Sequence, residues 1–203
     1  MNADKLIFVH NFISVEDMKN INKHLADMRL SKIKYENDVT VKNKTSNYYK
    51  KLKSSVNLPS RWVERHENNL VYELLDVFVP STKDEIEASF GKSVLPENGY
   101  SINVYLDGEE LPKHNDGDSL IISTPNGNPK REISSILYLN EDFEGGEVYF
   151  PNQGVVLKPK PGMLVLFPST NKFIHSVSKV TSGARYTIPQ FWSIKQPNET
   201  SEK

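Results

Sequence analysis

Hydrophobic positions along the chain follow two regimes that change near residue 99. Before that point the helical period dominates. Val15, Met18, Ile21, Leu25 and Met28 recur at helical spacing behind Ser14, whose hydroxyl suits an N-cap. A second run, Trp62, Val63, Leu70, Val71, Leu74, Leu75 and Phe78, predicts a helix from near Ser60 that Pro80 stops. Beyond residue 99 the apolar runs become short and are punctuated by Gly145-Gly146, Pro151-Asn152, Pro161-Gly162 and Ser182-Gly183. They predict strands at Tyr100–Leu106, Ile133–Asn140, Glu147–Phe150, Val155–Lys158, Met163–Phe167, Phe173–Val177 and Arg185–Ile194. The segments Asp107 to Lys113 and Gly117 to Lys130 read as loops. The pattern is that of a mainly β chain with N-terminal helices (α+β), its strands forming a sandwich or barrel for which a jelly roll fits. One domain is expected overall: a helical part over 1–98 packed on a β core over 99–194, then a polar, frayed tail over 195–203.

Composition adds mostly exclusions. The 203 residues suit a single domain with a sizeable core, and a net charge of −1 gives no general reason to expect a polyanionic partner. One local exception is the stretch from Arg29 to Lys53, with eight basic and two acidic residues. It reads as a solvated loop or strand pair in preference to a nucleic-acid surface. There is no cysteine, so disulfides, thiolate metal sites and cysteine nucleophiles are excluded, and a transition metal must be held by His, Asp or Glu. The opening, Met1 to Phe12, is too short and polar for a signal peptide, and no apolar run reaches the ~20 residues of a membrane span. A cytoplasmic protein with no membrane partner is the expectation.

Five histidines are present. His10 and His24 lie in the helical part and His66 sits among Glu64, Arg65 and Glu67, so surface or packing roles suit all three. His114 stands apart because Asp116 follows it by two. On an extended segment the two side chains point to one side and can grip one cation. Such a pair alone is weak grounds for a site. His175, on a late strand, is the best remaining third ligand. Two neutral imidazoles and a carboxylate can occupy one face of an octahedral Fe(II), leaving three positions open.

Arg185, ten residues after His175, would need an anion if buried, and its planar fork suits a carboxylate. Tyr105, nine residues before His114, can donate a phenolic hydrogen bond to the same group, although a core tyrosine is an equal reading. Asn103, two residues earlier, faces the same side of its strand as Tyr105, and a purely structural role fits it at least as well. Together these residues describe a pocket for a metal-chelating dicarboxylate.

The stretch from Tyr105-Leu-Asp-Gly108 to His114-Asn-Asp116 resembles the prolyl 4-hydroxylase branch of the Fe(II)- and 2-oxoglutarate-dependent oxygenases. So do Ser135-Ile-Leu-Tyr-Leu-Asn140, Phe143-Glu-Gly-Gly-Glu-Val-Tyr-Phe150 and Lys158-Pro-Lys-Pro-Gly-Met-Leu-Val-Leu-Phe-Pro168. The run His175-Ser-Val-Ser-Lys-Val-Thr-Ser-Gly-Ala-Arg185 and then Trp192 follow in order, and the opening Phe8-Val-His-Asn-Phe-Ile-Ser14 is weakly similar as well. The resemblance implies a distorted double-stranded β-helix (jelly roll, cupin-like) buttressed by helices. It implies Fe(II) on His114, Asp116 and His175, and the far carboxylate of 2-oxoglutarate on Arg185 with support from Tyr105. Asn103 is a looser transfer, from a similar Asn-x-Tyr spacing in the nucleic-acid demethylase branch. Arg131 matches an arginine for which a structural salt bridge is expected. The branch commonly carries Gly-Gly-Glu-Thr where this chain has Gly145-Gly-Glu-Val148, a departure that bears on substrate and leaves the cofactors in place.

The function implied is hydroxylation of peptidyl proline or a related protein side chain, with O₂ consumed, succinate and CO₂ released, and ascorbate a candidate further requirement. A hydroxylase of a free amino acid or other small molecule is the alternative. A non-catalytic cupin-like protein is a third reading, against which Arg185 argues. Nucleic acid is disfavoured as a partner, since the chain is not basic and no second arginine stands in register after Arg185. Gly117 to Lys130 is the expected lid, and the central basic segment with Tyr48 and Tyr49 could also fold over the site.

Overall fold

Two antiparallel sheets packed face to face dominate the computed structural model, which describes residues 7–30, 61–63, 69–97, 99–117 and 131–195. The larger sheet runs β1 (Phe8–Asn11), β10 (Met163–Pro168), β6 (Ile133–Tyr138), β12 (Val180–Ile194), β4 (Ile102–Leu106) and β2 (Arg61–Val63). The strands β3 (Val94–Pro96) and β7 (Phe143–Gly145) also pair with β12. The smaller sheet runs β5 (Leu111–His114), β11 (His175–Val177), β8 (Val148–Phe150) and β9 (Val155–Leu157). This is the double-stranded β-helix that the family resemblance implied, and it fits the jelly roll expected from the strand pattern.

Alternation along the central strands sorts side chains between two cores. Ile102, Val104, Ala184, Tyr186, Ile188, Leu137 and Leu164 face the helices. Tyr105, Tyr138, Val165 and Phe167 face the smaller sheet and meet Val148, Phe150 and Val177 there. The outer face is covered by α1 (Val15–Leu30), α2 (Asn69–Leu75) and α3 (Thr82–Phe90), which contribute Met18, Ile21, Leu25, Val71, Leu75 and Ile86. The Ser14 hydroxyl accepts from the Asp17 backbone N–H at 3.1 Å and donates to the Asp17 carboxylate at 2.6 Å, closing the predicted cap.

Some expectations change. Trp62 and Val63 belong to a short strand in register with Asn103 and Ile102, and the helix expected from Ser60 is confined to Asn69–Leu75. A β-branched and aromatic pair takes the sheet edge that β4 offers. The expected loop from Asp107 to Lys113 contains the start of β5. Its Pro112 is tolerated because β5 is an edge strand of its sheet. The short strands β1, β3 and β7 and the helix α3 were not among the predicted elements, and His10 lies on β1, not on a helix. There His10 Nε2 is 3.2 Å from the Ser89 hydroxyl and Nδ1 3.4 Å from Glu85, a packing tie between β1 and α3. Arg131 pairs with Glu97 at 2.6 Å, the salt bridge expected of it. Most of the basic stretch, His66, the segment after Gly117 expected to act as a lid, and the tail lie outside the described residues.

Candidate active site

His114 ends β5 and His175 begins β11, and the antiparallel register sets them directly opposite one another. Their ring centroids are 4.3 Å apart. Asp116, two residues past His114, brings Oδ1 to 3.3 Å from His114 Nε2 and Oδ2 to 3.7 Å from His175 Nε2. One donor atom from each of the three residues lies within 4.8 Å of the others, a spacing fit for one metal ion. The ring orientations fit as well. His114 Nδ1 is 2.9 Å from the Pro112 carbonyl and His175 Nδ1 is 3.1 Å from the Phe173 carbonyl. A carbonyl only accepts, so each Nδ1 carries the proton and each Nε2 offers its lone pair to the centre.

Burial pulls the His175 pKa below its ordinary value, further than Asp116 pushes it up. For His114 burial also acts downward, but the Asp116 hydrogen bond and charge outweigh it and the group stays above its ordinary value. Burial raises the Asp116 carboxyl, and the two histidines with the Ser134 hydroxyl overcome this and hold it well below the usual carboxylate range. The site is therefore anionic at one residue and ready to exchange protons for a cation. Phe150 and Phe167 enclose the His175 ring at centroid distances of 5.3 and 4.8 Å.

The second half of the site lies on the inner face of the larger sheet. Arg185 and Tyr105 are cross-strand partners, and Thr187, one rung along, pairs with both Asn103 and Tyr138. The Arg185 side chain is 2% exposed. Its Nε donates to the Gly146 carbonyl at 3.1 Å, and its guanidinium carbon lies 4.9 Å from the Tyr105 ring centre and 5.1 Å from that of Tyr138. Among the described residues no carboxylate forms an ion pair with it.

Beside it, the Tyr138 hydroxyl is buried with no hydrogen-bond partner among the described residues. Burial pushes this phenol's pKa up more than the adjacent Arg185 guanidinium, by its charge and its approach to the hydroxyl oxygen, pulls it down, so the phenol keeps its proton, and that proton is still free to be donated. A buried guanidinium and an orphaned phenolic donor, side by side, fit the carboxylate end of a small acid. The structure thus brings His114, Asp116 and His175 together and seats Arg185 against Tyr105. Asn103 is buried on the same face, one rung away. Tyr138 was missed, although it sits inside the Ser135–Asn140 motif, because a tyrosine in an apolar strand reads as core.

Residues 100–193 match the family profile described as 2OG-Fe(II) oxygenase superfamily. A PKHD-type hydroxylase of Pseudomonas fluorescens is 32% identical over 123 residues, 56% of this chain and 52% of that protein. Human prolyl 3-hydroxylase 2 is 35% identical over 69 residues, 32% of this chain and 10% of that protein. The chain therefore spans only about half, or less, of the curated relatives it matches. Among solved structures, the viral collagen prolyl hydroxylase of Paramecium bursaria Chlorella virus-1 superposes with a TM-score of 0.59 at 18% identity, covering 96% of this chain and all of that one. A Trichoplax adhaerens prolyl hydroxylase, in complex with a hypoxia inducible factor peptide fragment, superposes with a TM-score of 0.61 at 18% identity, covering 97% and 87% of the two chains. At that identity the superpositions establish the shared fold. Among the described residues no helix is long and apolar enough to cross a membrane.

Proposed function

We propose, from the premise that the chain belongs through residues 100–193 to the 2OG-Fe(II) oxygenase superfamily, that it hydroxylates peptidyl proline or a related protein side chain. The observation that carries this is the pairing of two preformed half-sites on facing sheets. One is the His114, Asp116 and His175 cluster. The other is the Arg185 and Tyr138 pair, buried and, among the described residues, not ion-paired with any carboxylate. His114, Asp116 and His175 would hold Fe(II). Arg185 and Tyr138 would take the far carboxylate of 2-oxoglutarate, with the Tyr105 ring packed against the guanidinium and Asn103 alongside. Bound together, iron and 2-oxoglutarate supply an oxidant for an unactivated C–H, with O₂ consumed and succinate and CO₂ released.

The chain's own residues position and protect. The Nδ1 bonds to Pro112 and Phe173 hold both imidazoles with Nε2 inward, and Phe150 and Phe167 keep water from His175. The choice of proline rests on the relatives: the matched human protein is a prolyl 3-hydroxylase. A partner carrying a peptide substrate follows from this reading, and residues 1–98 would act as the packing support of the catalytic core.

The test is succinate release with Fe(II), 2-oxoglutarate and O₂, with and without ascorbate, in the presence of proline-rich peptides, free proline or a metabolite pool. Turnover stimulated by the peptides, and abolished in His175→Ala, is expected. Stimulation by free metabolites alone would reject the peptidyl substrate and keep the oxygenase. No turnover with any of them, together with unaltered metal binding in His175→Ala, would overturn the proposal.

A further inference from the structure

We propose, on the reading that Arg185 anchors the far carboxylate of 2-oxoglutarate, that Ser178 and Glu147 are positioning residues for it. From outside the pocket they lock the peptide between Gly146 and Glu147 in the orientation that seats the guanidinium. Glu147 stands in the turn between β7 and β8, and Ser178 in the turn between β11 and β12. Both backbone and side chains join the two turns. The Ser178 N–H donates to the Glu147 carbonyl at 2.9 Å, and the Glu147 N–H donates to the Ser178 hydroxyl at 3.0 Å. That hydroxyl in turn donates to the Glu147 carboxylate.

Counting protons gives each bond its direction. The Ser178 hydroxyl has one proton and an ionised carboxylate only accepts, so the proton goes there. A lone pair on the hydroxyl is left for the Glu147 N–H. The Glu147 carboxyl is held below its ordinary pKa, chiefly by the Ser178 hydroxyl, and so stays an acceptor at neutral pH.

The Glu147 N–H and the Gly146 carbonyl belong to one planar, trans peptide unit, so they point in opposite directions. Ser178 takes the N–H end, and Arg185 Nε donates to the carbonyl end at 3.1 Å. Holding one end aims the other. The turn needs such a lock because Gly145 and Gly146 have φ of +75° and +69°, in a region where glycine moves freely. A flipped peptide would present an N–H to the guanidinium, and Nε would lose its acceptor in a buried position. With Nε committed to Gly146, the two terminal nitrogens are left for a ligand's carboxylate.

Ser178 directly follows β11, the strand that begins with His175. The strand that carries a metal-ligand candidate therefore also steers, through one hydroxyl and one peptide, the arginine on β12. Ser178 is exposed, so its hydroxyl fills no core space. Removing it leaves the backbone bond from Ser178 to the Glu147 carbonyl in place.

The probes are 2-oxoglutarate and 2-oxopentanoate, an acid of the same length with a methyl group in place of the far carboxylate. Their affinities for the Co(II)-loaded protein are measured by calorimetry for the parent, Ser178→Ala and Ser178→Thr. The parent should prefer 2-oxoglutarate. Ser178→Ala should weaken 2-oxoglutarate binding by about three- to tenfold, a loss typical of coupling within one hydrogen-bond network, and leave 2-oxopentanoate unchanged. Ser178→Thr keeps the hydroxyl and should bind both acids like the parent.

A clamp that only stabilises the fold would lower the affinity for both acids by the same factor, and that result overturns the lock. So does parent-like 2-oxoglutarate affinity in Ser178→Ala, or a selective loss that threonine does not restore. In each of these cases the Arg185 reading stands as long as the parent prefers 2-oxoglutarate. A parent that binds both acids alike, or neither, overturns the Arg185 reading and the lock with it.

Discussion

Arg185 and Tyr138 share one small volume on the inner face of the larger sheet, and the demands they make on it differ. The guanidinium donates Nε to Gly146 and rests on two aromatic rings, whereas the Tyr138 hydroxyl has no partner among the described residues. A buried unpaired donor costs about 1–3 kcal/mol of stability, and a hydrogen bond to a charged group returns a similar amount once a ligand supplies it. Tyr138→Phe should therefore raise the stability of the ligand-free protein by about 1 kcal/mol in urea denaturation. It should also weaken 2-oxoglutarate binding by about tenfold in calorimetry. A loss of stability would show that the hydroxyl already has a partner, and unaltered affinity would remove it from the pocket. The contrast in legibility is physical. His114, Asp116, His175 and Arg185 are residue types that burial penalises unless they have a task, so their spacing drew notice. Tyr138 lies between Leu137 and Leu139 and looks like core until register puts it beside Thr187 and Arg185.

At the scale of elements, the site depends on very short strands held by turns. The strands β5 and β11 place both histidines with only four and three residues, too few to show a period in sequence. Helix α1 was legible because sixteen residues repeat the helical spacing behind a capping serine. The pair Trp62-Val63 was assigned to a helix because a three-residue edge strand carries no signal apart from its partner β4. The Gly145-Gly146 turn was read as punctuation, and its second glycine does more than that. Gly146 has φ +69°, and a Cβ there would meet Arg185 Cδ and Phe143 Cε2, both at 2.9 Å. Gly146→Ala should cost at least about 1–2 kcal/mol from the left-handed backbone alone. Because the added methyl presses on the Arg185 stem, 2-oxoglutarate affinity should fall in the same variant, measured by calorimetry on protein that remains folded. A stability loss with affinity intact would mean that Phe143 gives way and the arginine keeps its seat.

Across the whole molecule the larger sheet serves as a partition between a helix-facing core and a site-facing core. Leu166 and Phe167 are consecutive residues of β10, each fully buried, and they point to opposite sides of that partition. Leu166 packs under the helices, whereas Phe167 packs edge-on against the His175 ring. Leu166→Ala should cost about 2–5 kcal/mol in denaturant unfolding, the usual range for emptying a core leucine site. Phe167→Leu keeps most of the volume and should cost less, about 1.5 kcal/mol or under. Metal affinity should follow the reverse order. With Co(II) as probe under native conditions, Leu166→Ala should bind like the parent, because its cavity opens away from His175. Phe167→Leu should bind more weakly, because the imidazole loses the ring that fixes its plane. General loosening cannot produce that inversion, since it would weaken binding most in the less stable variant. Equal losses in both variants would show that the two cores are coupled through the sheet and that the partition is only geometric.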